Sequence, residues 1–176
     1  MRYLLILFLL FSFSVSAEEE QYKHAVAGFD SESELKPFYE KVRAAILSRD
    51  YETIAELLFF PAGVYVGDKP TEVKSKKEFI ALADDIINER LLRAVYCSSY
   101  DTLWSNYRGV ALGQGEVWIN MIKENDDDPW ETVIWRINNK PYIGTNSRKD
   151  GDCFYSEEVN KKFQNIQAKK TPEIMN

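Results

Sequence analysis

The sequence predicts an α+β fold in which a curved antiparallel sheet wraps around amino-terminal helices, with one extra helix at the carboxy end. Three observations carry this expectation. Apolar residues recur at three- and four-residue steps through much of the stretch from Leu35 to Ile87, the spacing of amphipathic helices. From Val110 to Ile137 the pattern changes to strict alternation, the mark of half-buried strands. Between them, Gly113-Gln114-Gly115 interrupts a long β-rich run, Gly109 to Ile122. Two residues without a Cβ either close a tight turn between paired strands or let one strand bend and curl the sheet around a helix.

The chain opens with Arg2 and an unbroken apolar run from Tyr3 to Phe11, then ends a small-residue stretch at Val15-Ser16-Ala17 before Glu18-Glu19-Glu20. This is the pattern of a secretory signal peptide over residues 1–17, and the run is too short for a bilayer core of roughly 30 Å. A periplasmic or secreted mature chain starting near Glu18 is expected, with no membrane association after cleavage. Residues 18–33 are polar and without a clean period, and read as a flexible lead-in. Residues 34–145 form the main domain, and residues 146–176 form an extension with one helix.

Within that domain, Ser33 or Asp30 caps a first helix carrying Leu35, Phe38, Tyr39, Val42, Ala45 and Ile46 on one face. Pro37 is tolerated if it falls in the first turn. A second helix, from Tyr51 to Phe59, stops before Pro61. Ala62 to Val66 and Thr71 to Lys74 read as a hairpin around Gly67-Asp68-Lys69-Pro70. Ser75-Lys76-Lys77-Glu78 matches a capping box and opens a helix with Phe79, Ile80, Ala83, Ile86 and Ile87 inward. Leu91 to Ser99 is ambiguous between a helix tail and a strand, and Ala94 to Cys97 tilts it toward a strand. Asp101 to Tyr107 reads as a helical turn or loop with Trp104 buried.

Glu124 to Pro129 is an acidic hairpin tip that lacks the spacing of a calcium loop. The following strand, Trp130 to Asn138, places Val133, Trp135 and Ile137 on one face and Thr132, Ile134 and Arg136 on the other. Tyr142-Ile143 reads as an edge strand and Asn146 to Asp152 as a loop. Ser156 then caps a last helix with Val159, Phe163 and Ile166 inward and a frayed end from Thr171.

Charge and rare residues exclude several functions. Removing residues 1–17 takes Arg2 away and moves the formal net charge from −6 to −7. An acidic chain without a basic cluster argues against nucleic acid. The single histidine, His24, lies in the lead-in, which removes His-centred metal sites and Ser-His or Cys-His catalysis; no metal or cofactor is expected. The two cysteines, Cys97 and Cys153, are either bridged or two separate buried thiols.

The order of helix, helix, hairpin, capped helix and long antiparallel strands resembles the nuclear transport factor two-like superfamily, the cystatin-like α+β cone, and within it small exported bacterial proteins. The resemblance rests on Ser48-Arg49-Asp50-Tyr51, Phe60-Pro61 with Val64-Tyr65-Val66, Lys76-Lys77-Glu78-Phe79, and Gly109 to Ile119 with its Gly-x-Gly-Glu-x-Trp strand. It covers roughly Glu34 to Ile143 and implies a ligand site at the open mouth of the cone. Glu116 is then the one weak candidate for a catalytic carboxylate. Tyr65, Tyr107 and Asn120 are candidate donors, Trp118 a pocket wall and Arg136 an anion holder. Three function classes follow: a non-catalytic binding or protein-interaction module, with a small-molecule or periplasmic protein partner or a homodimer through the sheet face; an isomerase or cyclase; and an immunity protein or inhibitor against a basic exported toxin. The missing catalytic constellation favours the first. Mass measurement before and after thiol alkylation should find no free thiol in the exported protein if the cysteines are bridged; two modified thiols exclude the bridge.

Overall fold

A computed structural model describes residues 21–67, 69–140 and 152–168. The expected signal peptide, the Tyr142-Ile143 strand, most of the Asn146 to Asp152 loop and the frayed end from Thr171 lie outside the described residues. The fold is α+β, with five α-helices and two antiparallel sheets among the described residues.

Helix α1 spans Glu32–Ser48, with Leu35, Tyr39, Val42, Ala45 and Ile46 buried along one stripe. Its cap is Ser31, between the two expected caps Asp30 and Ser33, so Pro37 falls in the second turn and costs one i→i−4 hydrogen bond. Helix α2, Tyr51–Leu57, is capped by Asp50, whose side chain accepts from the Thr53 amide at 3.1 Å. It ends before the expected Phe59. Leu58 turns extended to bridge Ile134, and the Phe59 amide donates to Ile134 O at 2.9 Å, so the chain leaves the helix to pair with the sheet.

Strands β1, Ala62–Val66, and β2, Lys69–Val73, form the expected hairpin. Helix α3 follows at Lys76–Ile86, and Ser75 Oγ accepts from the Glu78 amide. Glu78 reaches one residue further back than a capping box requires, accepting from the Lys74 amide at 2.8 Å.

The stretch weighed as a strand is helix α4, Glu89–Tyr96. Asn88 caps it by accepting from the Leu91 amide, and Leu91, Leu92, Ala94 and Val95 are all buried. β-propensity at Val95 and Tyr96 loses to the cap and to a buried apolar face, the usual outcome for a weak intrinsic preference. From α1, Arg43 donates to Tyr96 O at 3.0 Å and Ser98 O at 3.2 Å, holding carbonyls at the end of α4.

Four strands make the larger sheet, in the order β3 (Trp104–Asn106), β4 (Gly109–Leu112), β5 (Val117–Ile122) and β6 (Glu131–Ile137), every pair antiparallel. The expected helical turn over Asp101 to Tyr107 ends at Thr102, and Trp104 lies on edge strand β3, 40% exposed rather than buried. Gly109 to Ile122 is two paired strands, with Val110 opposite Ile119 and Leu112 opposite Val117. The glycines therefore close a turn; they do not bend one continuous strand.

The two-face reading of β6 is also corrected. Trp118 pairs Arg136 while Ile119 pairs Ile134, so Trp135 is the extra residue of a β-bulge. The bulge turns Ile134 and Ile137, not Trp135, into the core at 0% exposure. The inner face of the sheet is thus Val110, Leu112, Val117, Ile119, Ile134 and Ile137, packed in one apolar core with α1 to α4.

The small sheet is fastened to this body by buried Asn139. Its side chain accepts from the Tyr65 amide at 2.7 Å and donates to Tyr65 O, as a neighbouring strand would. The two sheets remain separate, and neither closes on itself.

The lead-in is not loose where it is described. A 3₁₀ turn at Ala25–Ala27 carries Ala27 and Phe29 into the core, with Phe29 fully buried. Helix α5, Glu157–Ala168, docks on α4 through the edge-to-face contact of Tyr96 with Phe163 and the Arg93–Asn160 hydrogen bond of 2.6 Å. Cys97 and Cys153 are bridged, with Cα atoms 5.7 Å apart. No described helix is long and apolar enough to cross a membrane.

Replacing both cysteines by serine should lower stability by about 4 kcal/mol, because the bridge closes a separation of 56 residues in the unfolded chain. Denaturant titration measures this, and the double variant should still fold, since α5 keeps its contacts with α4.

Candidate functional site

The connection between β4 and β5 is where the sequence concentrates its unusual residues. Gly113 and Gly115 both have positive φ, 64° and 96°. Space is as tight as the backbone: a Cβ on Gly113 would lie 2.3 Å from Glu116 Oε2, and one on Gly115 would lie 3.3 Å from the Trp118 indole nitrogen. Only glycine satisfies both demands.

Glu116 explains the crowding. Its side chain is fully buried, Oε1 accepts from Arg90 Nη2 at 2.9 Å, and Oε2 accepts from the Gln114 amide at 2.6 Å. The carboxylate thus holds the turn that carries it and ties that turn to α4. Ser98, just beyond α4, accepts from the Gly113 amide at 2.7 Å, and Asn138 donates to Gly115 O at 2.8 Å. A buried carboxylate needs such donors, since the loss of hydration would otherwise cost several kcal/mol.

Above the turn, on the outer face of the sheet, stand two tryptophans. Trp118 donates its indole N–H to Gly115 O at 3.0 Å, and Trp104 donates to Gly113 O at 3.3 Å. Their rings meet edge to face with centroids 5.0 Å apart. The cross-strand row is Trp104, Ala111, Trp118 and Arg136. Ala111 is fully buried although it lies on the outer face, where the register places it between Trp104 and Trp118. Asn120 follows Trp118 on the same face, and Arg136 donates to Asn138 at 2.8 Å.

The structure therefore brings Trp118, Asn120 and Arg136 together on one surface. It does not bring in Tyr65, which lies on β1 in the other sheet beneath the Lys140 ammonium. Tyr107 is 77% exposed at the β3–β4 turn, paired with Arg108 rather than lining a cavity. Glu116 is beneath the surface and ion-paired, so it offers no carboxylate to a ligand on that face.

Between sheet and helices the space is filled by the apolar core. The clefts described open to solvent elsewhere: about 320 Å³ beside Phe59 and the acidic tip, about 250 Å³ beside the disulfide, and about 380 and 360 Å³ on either side of Tyr100. None of the expected ligand residues lines these four. Among the described residues, no group of three or more His, Cys, Asp or Glu is placed to hold a metal ion.

Sequence reasoning missed Arg90, Ser98 and the pairing of Trp104 with Trp118. Arg90 lies one residue before the ambiguous stretch from Leu91 to Ser99 and Ser98 near its end, and Trp104 falls in a segment that reads as a helical turn or loop. The available signal was that Trp104 and Trp118 each lie seven residues from Ala111, as cross-strand partners on either side of one strand would. Compared with family models, curated proteins and solved structures, the chain finds no match.

Arg90→Met takes the guanidinium from a fully buried carboxylate and should cost about 3–5 kcal/mol, whereas Arg90→Met with Glu116→Leu should cost clearly less than the two single changes together. A double-mutant cycle in urea measures the coupling. Gly113→Ala should destabilise as well, through both its positive φ and its collision with Glu116.

Proposed function

We propose that the protein is an exported, non-catalytic binding module that makes its contact through the outer face of the four-stranded sheet. The single observation behind this reading is the Trp104–Trp118 pair. Both rings remain partly solvent-exposed, yet both indole N–H groups are committed to the glycine turn. Indoles are large, apolar and costly to leave wet, and such anchors dominate protein contact surfaces. Fixing their orientation in advance reduces the entropy lost on binding. Neighbouring Asn120 and Arg136 supply polar groups at the rim of the same surface.

Export is part of the proposal. It rests on the signal-like pattern of residues 1–17, and the Cys97–Cys153 bridge agrees with an oxidising compartment outside the cytoplasm. The cone architecture of the nuclear transport factor two-like superfamily belongs here too. We read the small hairpin, held to Asn139 just past β6, and the four-stranded sheet as two parts of one such curved surface around α1 to α4. That reading draws on the element order and on the β6 bulge, which bends a sheet locally.

Replacing both tryptophans should separate binding from folding. In cross-linking of the purified mature protein with periplasmic extract, the native chain should acquire a partner cross-linked within residues 104–136. The Trp104→Ala/Trp118→Ala variant should bind that partner at least about tenfold more weakly while keeping the native circular dichroism spectrum. Cross-links that map to another surface, or unchanged binding by the variant, would overturn the assignment of this face.

A further inference from the structure

His24 is the only histidine in the chain, and it is almost fully buried at 1% exposure beside β3. Its Nδ1 lies 3.1 Å from Ser105 Oγ, and that hydroxyl donates to Lys23 O at 3.2 Å. The hydroxyl has one proton, and Lys23 O takes it, so the imidazole must be the donor in the contact with Ser105. The tautomer is thereby fixed as Nδ1–H. Nε2 keeps its lone pair, is buried, and has no hydrogen-bond partner.

This ring anchors the segment that precedes α1. Tyr22 hydroxyl bonds to Tyr100 hydroxyl, and Lys23 Nζ reaches Tyr100 O at 3.4 Å and Asp101 O at 3.3 Å. Ala27 and Phe29 then enter the core. From residue 22 to residue 29 the chain closes one end of the core under β3 and β4.

We propose that residues 22–29 are an acid-released plug, held in place by neutral His24 and let go when its Nε2 takes a proton. A proton on Nε2 creates a cationic N–H in a buried position that offers it no acceptor. The surrounding charges do not help. Lys23, next in the chain, is cationic and repels it. The rings of Tyr22 and Tyr100 stand edge to face with the imidazole at 5.4 and 6.2 Å, and neither phenol ionises readily, since burial raises the pKa of each. From β3 comes the hydroxyl of Ser105, already committed, and β4 presents Gly109 to Leu112, none of which titrates. Of the nearby acids, Glu32 is paired with Lys36 of the same helix at 2.6 Å, Glu34 accepts from the Asp30 amide, and the Asp101 carboxylate supports the Lys36 ammonium.

The sign follows from linkage. Burial first, and Lys23 second, push the docked imidazole down to about 4, whereas an undocked histidine has an ordinary value of about 6.5. Docking is therefore at full strength above the undocked value and is lost as pH falls toward the docked one. Well inside that window the docking equilibrium should fall nearly tenfold per pH unit; from pH 6.5 to 4 it falls about 80-fold, and about 300-fold between its upper and lower limits.

Because no other histidine is present, the native protein can be read directly. Nitrogen-correlated NMR of the imidazole should show the Nδ1–H tautomer at neutral pH and titration well below 6.5. Amide-exchange protection of residues 22–29, corrected for intrinsic rates, should fall by roughly 80-fold between pH 6.5 and 4, while the amides of β4 and β5 keep theirs. His24→Asn retains a donor toward Ser105 but cannot take the proton, so its plug should lose protection far less steeply. An imidazole titrating near 6.5, or plug protection that ignores pH in the native chain, overturns the proposal whether or not the variant folds. So does a His24→Asn protein that folds and shows the same acid loss.

Discussion

The rest of the structure depends on one buried charge. Glu116 sits fully inside the protein at the root of the β4–β5 turn, and everything within reach of it is arranged to satisfy it. Arg90 supplies the counter-charge from α4, the Gln114 amide supplies a donor from the turn itself, and Gly113 gives up a side chain to leave room. These demands cannot be met one at a time. The guanidinium is in range only if α4 is a helix packed against the sheet, and the amide points inward only if the turn takes its left-handed glycine conformations. A buried ion pair is a poor source of net stability, but it penalises every arrangement that leaves one partner alone. Its contribution is to select this packing of α4 against this turn.

The same turn is the link between core and surface. Its amides and carboxylate acceptor face inward to Ser98, Arg90 and Glu116, while its carbonyls face outward to the two indoles. The turn thus joins the buried carboxylate below to Trp104 and Trp118 above through a few bonds of about 3 Å. The outer face has a shape because the inner charge is neutralised.

Much of the fold was legible where local signals agreed. Ser75 and Glu78 announced α3, Ser48-Arg49-Asp50 announced the break between the first helices, and alternation announced β5. Errors fell where a longer-range interaction overrode a local preference. Val95 and Tyr96 favour strands, yet burial of Leu91, Leu92 and Val95 against the core makes them helical. Alternation through β6 put Ile134 and Ile137 on opposite faces, whereas a bulge at Trp135, invisible in composition, inverts the pattern after it and brings both into the core. Residues 21–30 read as polar and loose because their apolar members follow no clean period, and nothing local shows that Phe29 finds a buried place. For the candidate site, the sequence marked Trp118, Asn120, Arg136 and the importance of Glu116, but assigned the glutamate to a pocket wall. Its true setting required Arg90, which is 26 residues away and becomes a neighbour only in the folded chain.

Ala111 is the least conspicuous member of the outer face and sets its geometry. Two strands away from each other, β3 and β5 have only β4 between them, and the residue of β4 that lies between the two indoles is the smallest one bearing a Cβ. Its methyl acts as a spacer of fixed height. With it the rings lean together until their centroids are 5.0 Å apart, making one continuous aromatic ridge. A branched side chain there would wedge the ridge into two isolated rings, each still anchored to its own carbonyl. The shape presented to solvent is therefore encoded in the volume of a residue that solvent never reaches.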